Sequence, residues 1–353
     1  MRLGVLDVGS NSAHLKIVEL RPGEPPRPIR SVKHPTLLAD AIDPDGNIQP
    51  PAVERLVAAV GATARAAEDE RLDELIAFAT TTVRDAANRE PVLARVAAET
   101  GIRLGHLSGR DDARLTFLAA RVWYGCSAGP MLLMDIGGGS TELAYGDGEE
   151  PASVLSLPLG AGRLTRAFLP GDPPRPGDVR LLRRFVYERL AGVGERIGGL
   201  PPARRVVATS KTFKQLARLT GAPGGAAGPY ARRVLRRDLL RDRIPELVAC
   251  DDRRRARLPG VAKSRAHQIV AGAIVAEALM TTLGVDEAEV CPWALREGIA
   301  VRRMRTAPAL GGTDELGSLV QCSFGHRRTP AVPAFGRERR SGRNATVTAG
   351  RSQ

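Results

Sequence analysis

The stretch LLMDIGGGSTELAYG, residues 132–146, sets an acid, three consecutive glycines and two hydroxyl side chains between two apolar runs. Glycines let a backbone turn tightly and come close to a ligand, and a turn rich in N–H groups cradles an anion. Asp135 and Glu142 would repel a lone phosphate, so these residue types suit a phosphate accompanied by a divalent cation. The stretch VLDVGSNSAHL, residues 5–15, repeats the frame: Asp7 matches Asp135, Gly9 matches Gly137, Ser12 matches Ser140 and Leu15 matches Leu143. One such turn is a weak signal, because Asp and Gly are common in ordinary turns. Two in one register, each between strand-like runs, indicate a duplicated unit facing one ligand.

The elements that must position these turns follow an α/β pattern. Strand-like segments near 2–8 and 13–20 flank the first turn, and RPGEPPRP at 21–28 reads as a loop. From Pro50 the period changes, with Val53, Leu56, Val57, Val60 and Ala64 at helical spacing. A buried strand is expected at 74–80, a helix ending at Gly101, and a further helix over 109–125. CSAGP, residues 126–130, reads as a hinge before the second unit. That unit holds the strand carrying Asp135, a strand near 204–210 and helices near 176–198, 211–220, 264–283 and 293–305. Strands alternating with helices imply layered α/β architecture.

Composition narrows the partners. Of the net charge of +13, +6 falls in residues 327–353, where seven arginines face Glu338 alone. The remaining +7 still favours polyanions through electrostatic steering, although an arginine-heavy sequence style would give the same balance. QIVAGAIVAEALMTTLGV at 268–285 is the longest apolar stretch, and with Glu277 inside it reads as a buried helix rather than a membrane span. No signal peptide is expected at MRLGVLDVGS, so the expected location is cytoplasmic. Cys126, Cys250, Cys291 and Cys322 have no metal-site spacing and read as isolated small core residues. Residues 306–353 lose periodicity and have the composition of a basic, disordered tail.

Several segments in this order resemble the Ppx/GppA family of exopolyphosphatases and guanosine pentaphosphate phosphatases, within the actin-like ATPase and sugar kinase superfamily. They are DVGSNSAHL (7–15), ATTTVRDAAN (79–88), SGRDDARLTFL (108–118), DIGGGSTEL (135–143), SLPLGAGRLT (156–165), ATSKTFKQLARL (208–219) and WALREGI (293–299). The resemblance implies two RNase H-like domains facing an interdomain cleft, over residues 1–124 and 125–305, without the extra helical domains of longer members. It implies hydrolysis of terminal phosphate from linear polyphosphate, with Mg²⁺ or Mn²⁺, or of the 5′ phosphate of guanosine pentaphosphate. Gly9, Ser10, Asn11 and Ser12 match the first phosphate turn, and Gly137, Gly138, Gly139, Ser140 and Thr141 the second. Asp135 and Glu142 match the acidic positions associated with the cation, and Asp7 is a third acid for it. Arg84 matches an arginine suited to a bidentate phosphate contact, and Lys211 is a candidate for a distal phosphate.

The resemblance also implies a catalytic base at the last acid of SGRDDAR, which is Asp112 where the family usually has Glu. Aspartate carries out the same proton transfer from one methylene nearer the backbone, and a base must lie within hydrogen-bond reach of the attacking water. Asp111, about 100° around the helix, is expected to face away. His14 reads as a packed, hydrogen-bonded histidine, and Trp293, Arg296 and Glu297 as residues fixing the last helix. A reading of another class stays open: a weakly active or non-catalytic sensor of polyphosphate or a guanosine alarmone. Nucleic acid is not expected as a partner, and a homodimer is compatible with everything above.

Overall fold

A computed structural model describes residues 1–307 of the chain. The expected tail therefore lies outside the described residues, except for its first two positions. The first lobe runs β1 (Arg2–Val8), β2 (Ser12–Glu19), β3 (Arg27–Pro35), α1 (Pro50–Asp69), β4 (Glu74–Ala79), α2 (Thr81–Arg84), α3 (Arg89–Thr100), β5 (Gly105–His106) and α4 (Gly109–Tyr124). Its sheet has the order β3-β2-β1-β4-β5, with β1 antiparallel to β2 and parallel to β4.

The second lobe runs β6 (Met131–Ile136), β7 (Thr141–Gly146), β8 (Ser153–Leu157), α5 (Ala161–Phe168), α6 (Pro176–Gly198), β9 (Arg205–Thr209) and α7 (Ser210–Leu219). It continues through β10 (Val234–Arg236), α8 (Arg237–Ala249), α9 (Asp252–Arg255), α10 (Ile269–Thr282), β11 (Glu287–Val290) and α11 (Leu295–Thr306). The order β8-β7-β6-β9-β11 repeats the first sheet strand for strand, and β10 adds an antiparallel edge beside β11. The fold is thus α/β with two mixed sheets of the RNase H-like, actin-like ATPase kind, and the repeat seen in the two glycine turns extends to whole lobes.

Local chemistry accounts for most boundaries. Pro50 and Pro51 open α1, where a missing N–H costs nothing, and Val53, Leu56, Val57 and Val60 bury one face. Gly101 ends α3 at φ 69°, a left-handed cap that suits glycine. Residues 269–280 of α10 are all buried. Glu277 is tolerated there because Arg183 pairs with it at 3.3 Å and the Thr281 hydroxyl donates to it at 3.2 Å. The strand β3 was not expected: its sequence RPIRSVKHP is mostly exposed at a sheet edge and carries no alternation. The helix α8 was missed as well, since Pro245 interrupts its pattern. Cys250 and Cys291 are buried as expected, whereas Cys126 is exposed.

Two helices join the lobes. Leu115 of α4 packs with Leu3, Val5 and Phe78 of the first sheet, while Phe117 and Ala120 pack with Met131, Leu133 and Val207 of the second. From the far end of the chain, α11 returns Leu295, Ile299 and Ala300 to the first-lobe cluster. The helices cross so closely that a β-carbon on Gly298 would overlap the Leu115 carbonyl. Ion pairs from Glu297 to Lys16 and from Arg303 to Glu74 fasten α11 to the first lobe.

Candidate active site

The two glycine turns are built alike. In the first, the Gly9 N–H donates to the Ser12 carbonyl at 3.0 Å; in the second, the Gly137 N–H donates to the Ser140 carbonyl at 2.9 Å. Each closes an antiparallel hairpin in which Asp7 lies opposite His14 and Asp135 opposite Glu142. The turns meet across the cleft. A β-carbon on Gly138 would stand 2.8 Å from the Ser10 β-carbon, and one on Gly139 would stand 2.6 Å from the Thr81 methyl. These two glycines are therefore required by close approach, and hydroxyl contacts between Thr81 and Ser140 (2.9 Å) and between Thr82 and Ser10 (2.7 Å) tie the edges together.

Beside the meeting turns lies a cavity of about 380 Å³. Its lining includes Gly9, Ser10, Asn11, Ser12, Gly137, Gly138, Gly139 and Ser140, together with four carboxylates, Asp7, Asp112, Asp135 and Glu142. Five cations face the same space: Lys33, Lys211, Lys214, Arg265 and Arg296. Four acids in one enclosure raise one another's proton affinity, and burial does so further. Burial, then the charges of Glu142, Asp135 and Asp7, hold the Asp112 carboxyl well above the usual carboxylate range. Burial and Asp135 push Glu142 up to about 8. Burial likewise raises Asp7 and Asp135.

Each acid is aimed by a neighbour. The Thr116 hydroxyl, one turn along α4, donates to Asp112 at 3.2 Å. The Ser156 hydroxyl of β8 donates to Glu142 at 2.9 Å, and a β-carbon on Gly109 would overlap Ser156. Gly109 in the SGRDDAR stretch therefore lets the start of α4 reach the strand that orients Glu142. Thr209, at the end of β9, donates to Asp135, and Arg296 donates to Asp7 at 2.7 Å. Asp111 instead accepts from the Ser108 hydroxyl at 2.6 Å in the helix cap and does not line the cavity.

Two residues expected at phosphate stand elsewhere. Thr141 is fully buried, and its hydroxyl donates to the Leu159 carbonyl at 2.9 Å, bracing the hairpin from behind. The Arg84 guanidinium donates to the Leu107 carbonyl at 3.0 Å and pairs with Asp85 at 2.9 Å, outside the cavity lining. Its charge still reaches Glu142, lowering that group's proton affinity. His14 contacts the Ser31 hydroxyl at 2.6 Å, and burial lowers its pKa to about 3, so it stays neutral.

Sequence reasoning missed four cations, Lys33, Lys214, Arg265 and Arg296. Arg296 was read as fixing the last helix, a role that Glu297 fills by accepting the Ala294 N–H at 2.8 Å; Arg296 itself reaches into the cavity. Lys33 comes from the unexpected strand β3, and Arg265 from the short helical turn Lys263–Gln268. Neither sits in a glycine-rich motif, so no local signal marked them.

A cation would find a suitable donor set. Asp7 has one oxygen on Arg296 and the other, Oδ1, buried without a hydrogen-bond partner. Among the described residues no three His, Cys, Asp or Glu side chains are grouped closely enough to hold a metal by themselves. That arrangement fits an ion that takes one or two carboxylates and completes its shell with water and phosphate oxygens, as Mg²⁺ does.

A two-lobed fold whose duplicated glycine turns share one cavity with acids and cations suits phosphoryl-group chemistry. The sequence profile of the Ppx/GppA phosphatase family matches residues 16–307. Exopolyphosphatase 1 of Mycobacterium tuberculosis is 49% identical over 332 residues, 94% of this chain and 95% of the relative. Exopolyphosphatase 1 of Mycobacterium leprae is 48% identical over 304 residues, 86% and 90% of the two chains. The Aquifex aeolicus Ppx/GppA family member, a solved structure, superposes with TM-score 0.70 at 26% identity, covering 86% of this chain and 97% of that one. A solved exopolyphosphatase from Cytophaga hutchinsonii shares the fold with TM-score 0.77 at 24% identity, over 86% and 97%. The chain belongs to the Ppx/GppA phosphatase family. No helix among the described residues is long and apolar enough to cross a membrane.

Proposed function

We propose that the chain is an exopolyphosphatase, releasing the terminal phosphate of linear polyphosphate by attack of water. The observation that carries this reading is a single cavity holding both glycine turns, a half-buried carboxylate at the start of α4 and five cations. Named exopolyphosphatase relatives at 48–49% identity support the same substrate class. In this reading the N–H groups and hydroxyls of the two turns hold the terminal phosphoryl group. Lys211, Lys33 and Arg265 balance charge on the phosphates behind it, and Arg296 keeps Asp7 in place. Asp112 orients the attacking water and takes its proton; its raised proton affinity makes it a stronger base than a solvated aspartate. Positioning and electrostatics dominate phosphoryl transfer. When bound, Mg²⁺ or Mn²⁺ would be held through one or two of the carboxylates Asp135, Glu142 and Asp7, with water completing its shell, and would neutralise charge on the phosphoryl oxygens.

Phosphate release by the purified chain from polyphosphate, guanosine pentaphosphate and ATP tests this reading. Polyphosphate is expected to be the best substrate, with the rate falling to background under a chelator and returning with Mg²⁺ or Mn²⁺. Hydrolysis of guanosine pentaphosphate without polyphosphate would move the assignment to the alarmone. Tight polyphosphate binding without turnover would favour the sensor.

A further inference from the structure

A second cavity, of about 480 Å³, lies beside the first and shares Lys211 and Lys214 with it. Arg218 and Arg233 also line it, and no carboxylate does. Lys211 has no hydrogen-bond or ion-pair partner among the described residues and is exposed at the start of α7. The other three cations are fixed by carbonyls, which hold them in place without cancelling their charge. Lys214 donates to the Pro292 carbonyl at 2.9 Å and Arg218 to that of Ala222 at 3.0 Å. Arg233 donates to Gly224 and Gly228, both at 2.8 Å, so the glycine-rich loop forming one wall is pinned before any ligand arrives.

An independent observation points to a ligand. Gln215 lines this cavity, is 2% exposed, and has neither amide atom hydrogen-bonded. A buried amide left without partners is costly, and an anion in the cavity would satisfy its N–H donors. A half-open cavity with four cations, no acid and one waiting amide suits an anion with several charges in a row.

We propose that this cavity is a distal anion subsite that takes the phosphates of the substrate chain lying beyond those held at the glycine turns. The proposal rests on the polyphosphate reading and deepens it: Lys211 and Lys214 form the passage, and the subsite gives long chains an affinity that short ones cannot gain.

Gly225 provides the test, because it lines the cavity, a β-carbon there meets nothing within 4 Å, and its backbone needs no left-handed conformation. Gly225→Glu is expected to raise KM for long-chain polyphosphate about tenfold, the size of effect one added charge has at close range. Gly225→Lys should lower it, while kcat and KM for tripolyphosphate stay within about twofold in both variants. Gln215→Leu should weaken long-chain binding while Tm stays at or above that of the parent. A long-chain KM unmoved by either charge at 225, or equal shifts for tripolyphosphate and long chains, would overturn the subsite. Calorimetric titration of long-chain polyphosphate into chelator-treated protein separates this proposal from the activity. Weaker binding by Gly225→Glu than by the parent supports the subsite even if no chain is hydrolysed, and equal binding refutes it.

Discussion

Replacing Asp112 by alanine is expected to lower kcat about 10²- to 10⁴-fold, the range a positioned general base contributes, with KM for polyphosphate changed far less. The carboxylate lines the cavity, is aimed by Thr116 and is raised in proton affinity by burial and three neighbouring acids. Its place in the first turn of α4 also sets it where the helix dipole favours a negative charge. Asp112→Asn, which keeps the shape and loses the base, should behave as alanine does. Asp112→Glu adds one methylene, and because Gly109 already brings α4 against β8, the longer side chain is expected to retain kcat within about tenfold of the parent. Steady-state kinetics on the three variants checks this. Equal rates for parent and Asp112→Ala would remove Asp112 from the chemistry, and a large gain on Asp112→Glu would mark the parent as a binder rather than an enzyme.

The second large effect concerns the meeting of the lobes. Gly138→Ala places a methyl group 2.8 Å from the Ser10 β-carbon, so the two turns must move apart. A displacement on the order of 1 Å at a reacting centre costs roughly a hundredfold in rate, and kcat/KM is expected to fall by about that factor. The lobes themselves keep their cores, since neither turn belongs to a hydrophobic cluster, so Tm should move by only a few degrees for an overpacking cost of about 1–3 kcal/mol. Kinetics paired with thermal unfolding separates closure from folding. A parent-like rate would show that the turns need not meet for catalysis, and a collapse in Tm would show that the contact is structural.

How far the sequence exposes this site depends on the kind of signal each residue leaves. Asp7, Gly9, Asp135 and Gly137 were legible because a repeated frame of acid, glycine and hydroxyl has few other uses, and both turns prove to close with the same hydrogen bond. Asp112 was legible through the motif around it. Lys33 was not, because an exposed edge strand bounded by prolines lacks the alternation that marks half-buried strands. Arg265 and Arg296 reach the cavity only through the return of distant chain, which no local pattern encodes. Thr141 and Arg84 show the converse: both lie inside motifs, yet their side chains are spent on the Leu159 and Leu107 carbonyls. A motif marks a segment, and packing decides which of its side chains faces the ligand. The sharing of α4 and α11 between lobes was equally hidden, since chain order alone assigns each helix to one unit.

The most direct measurement of the central claim is the fate of oxygen from solvent. Polyphosphate is turned over in ¹⁸O-labelled water, and the products are weighed by mass spectrometry. Attack of water on the terminal phosphorus places one labelled oxygen in the released orthophosphate and none in the shortened chain. Label in the new chain end, or no orthophosphate at all, would contradict a cleft that holds the terminal phosphoryl group between its two glycine turns.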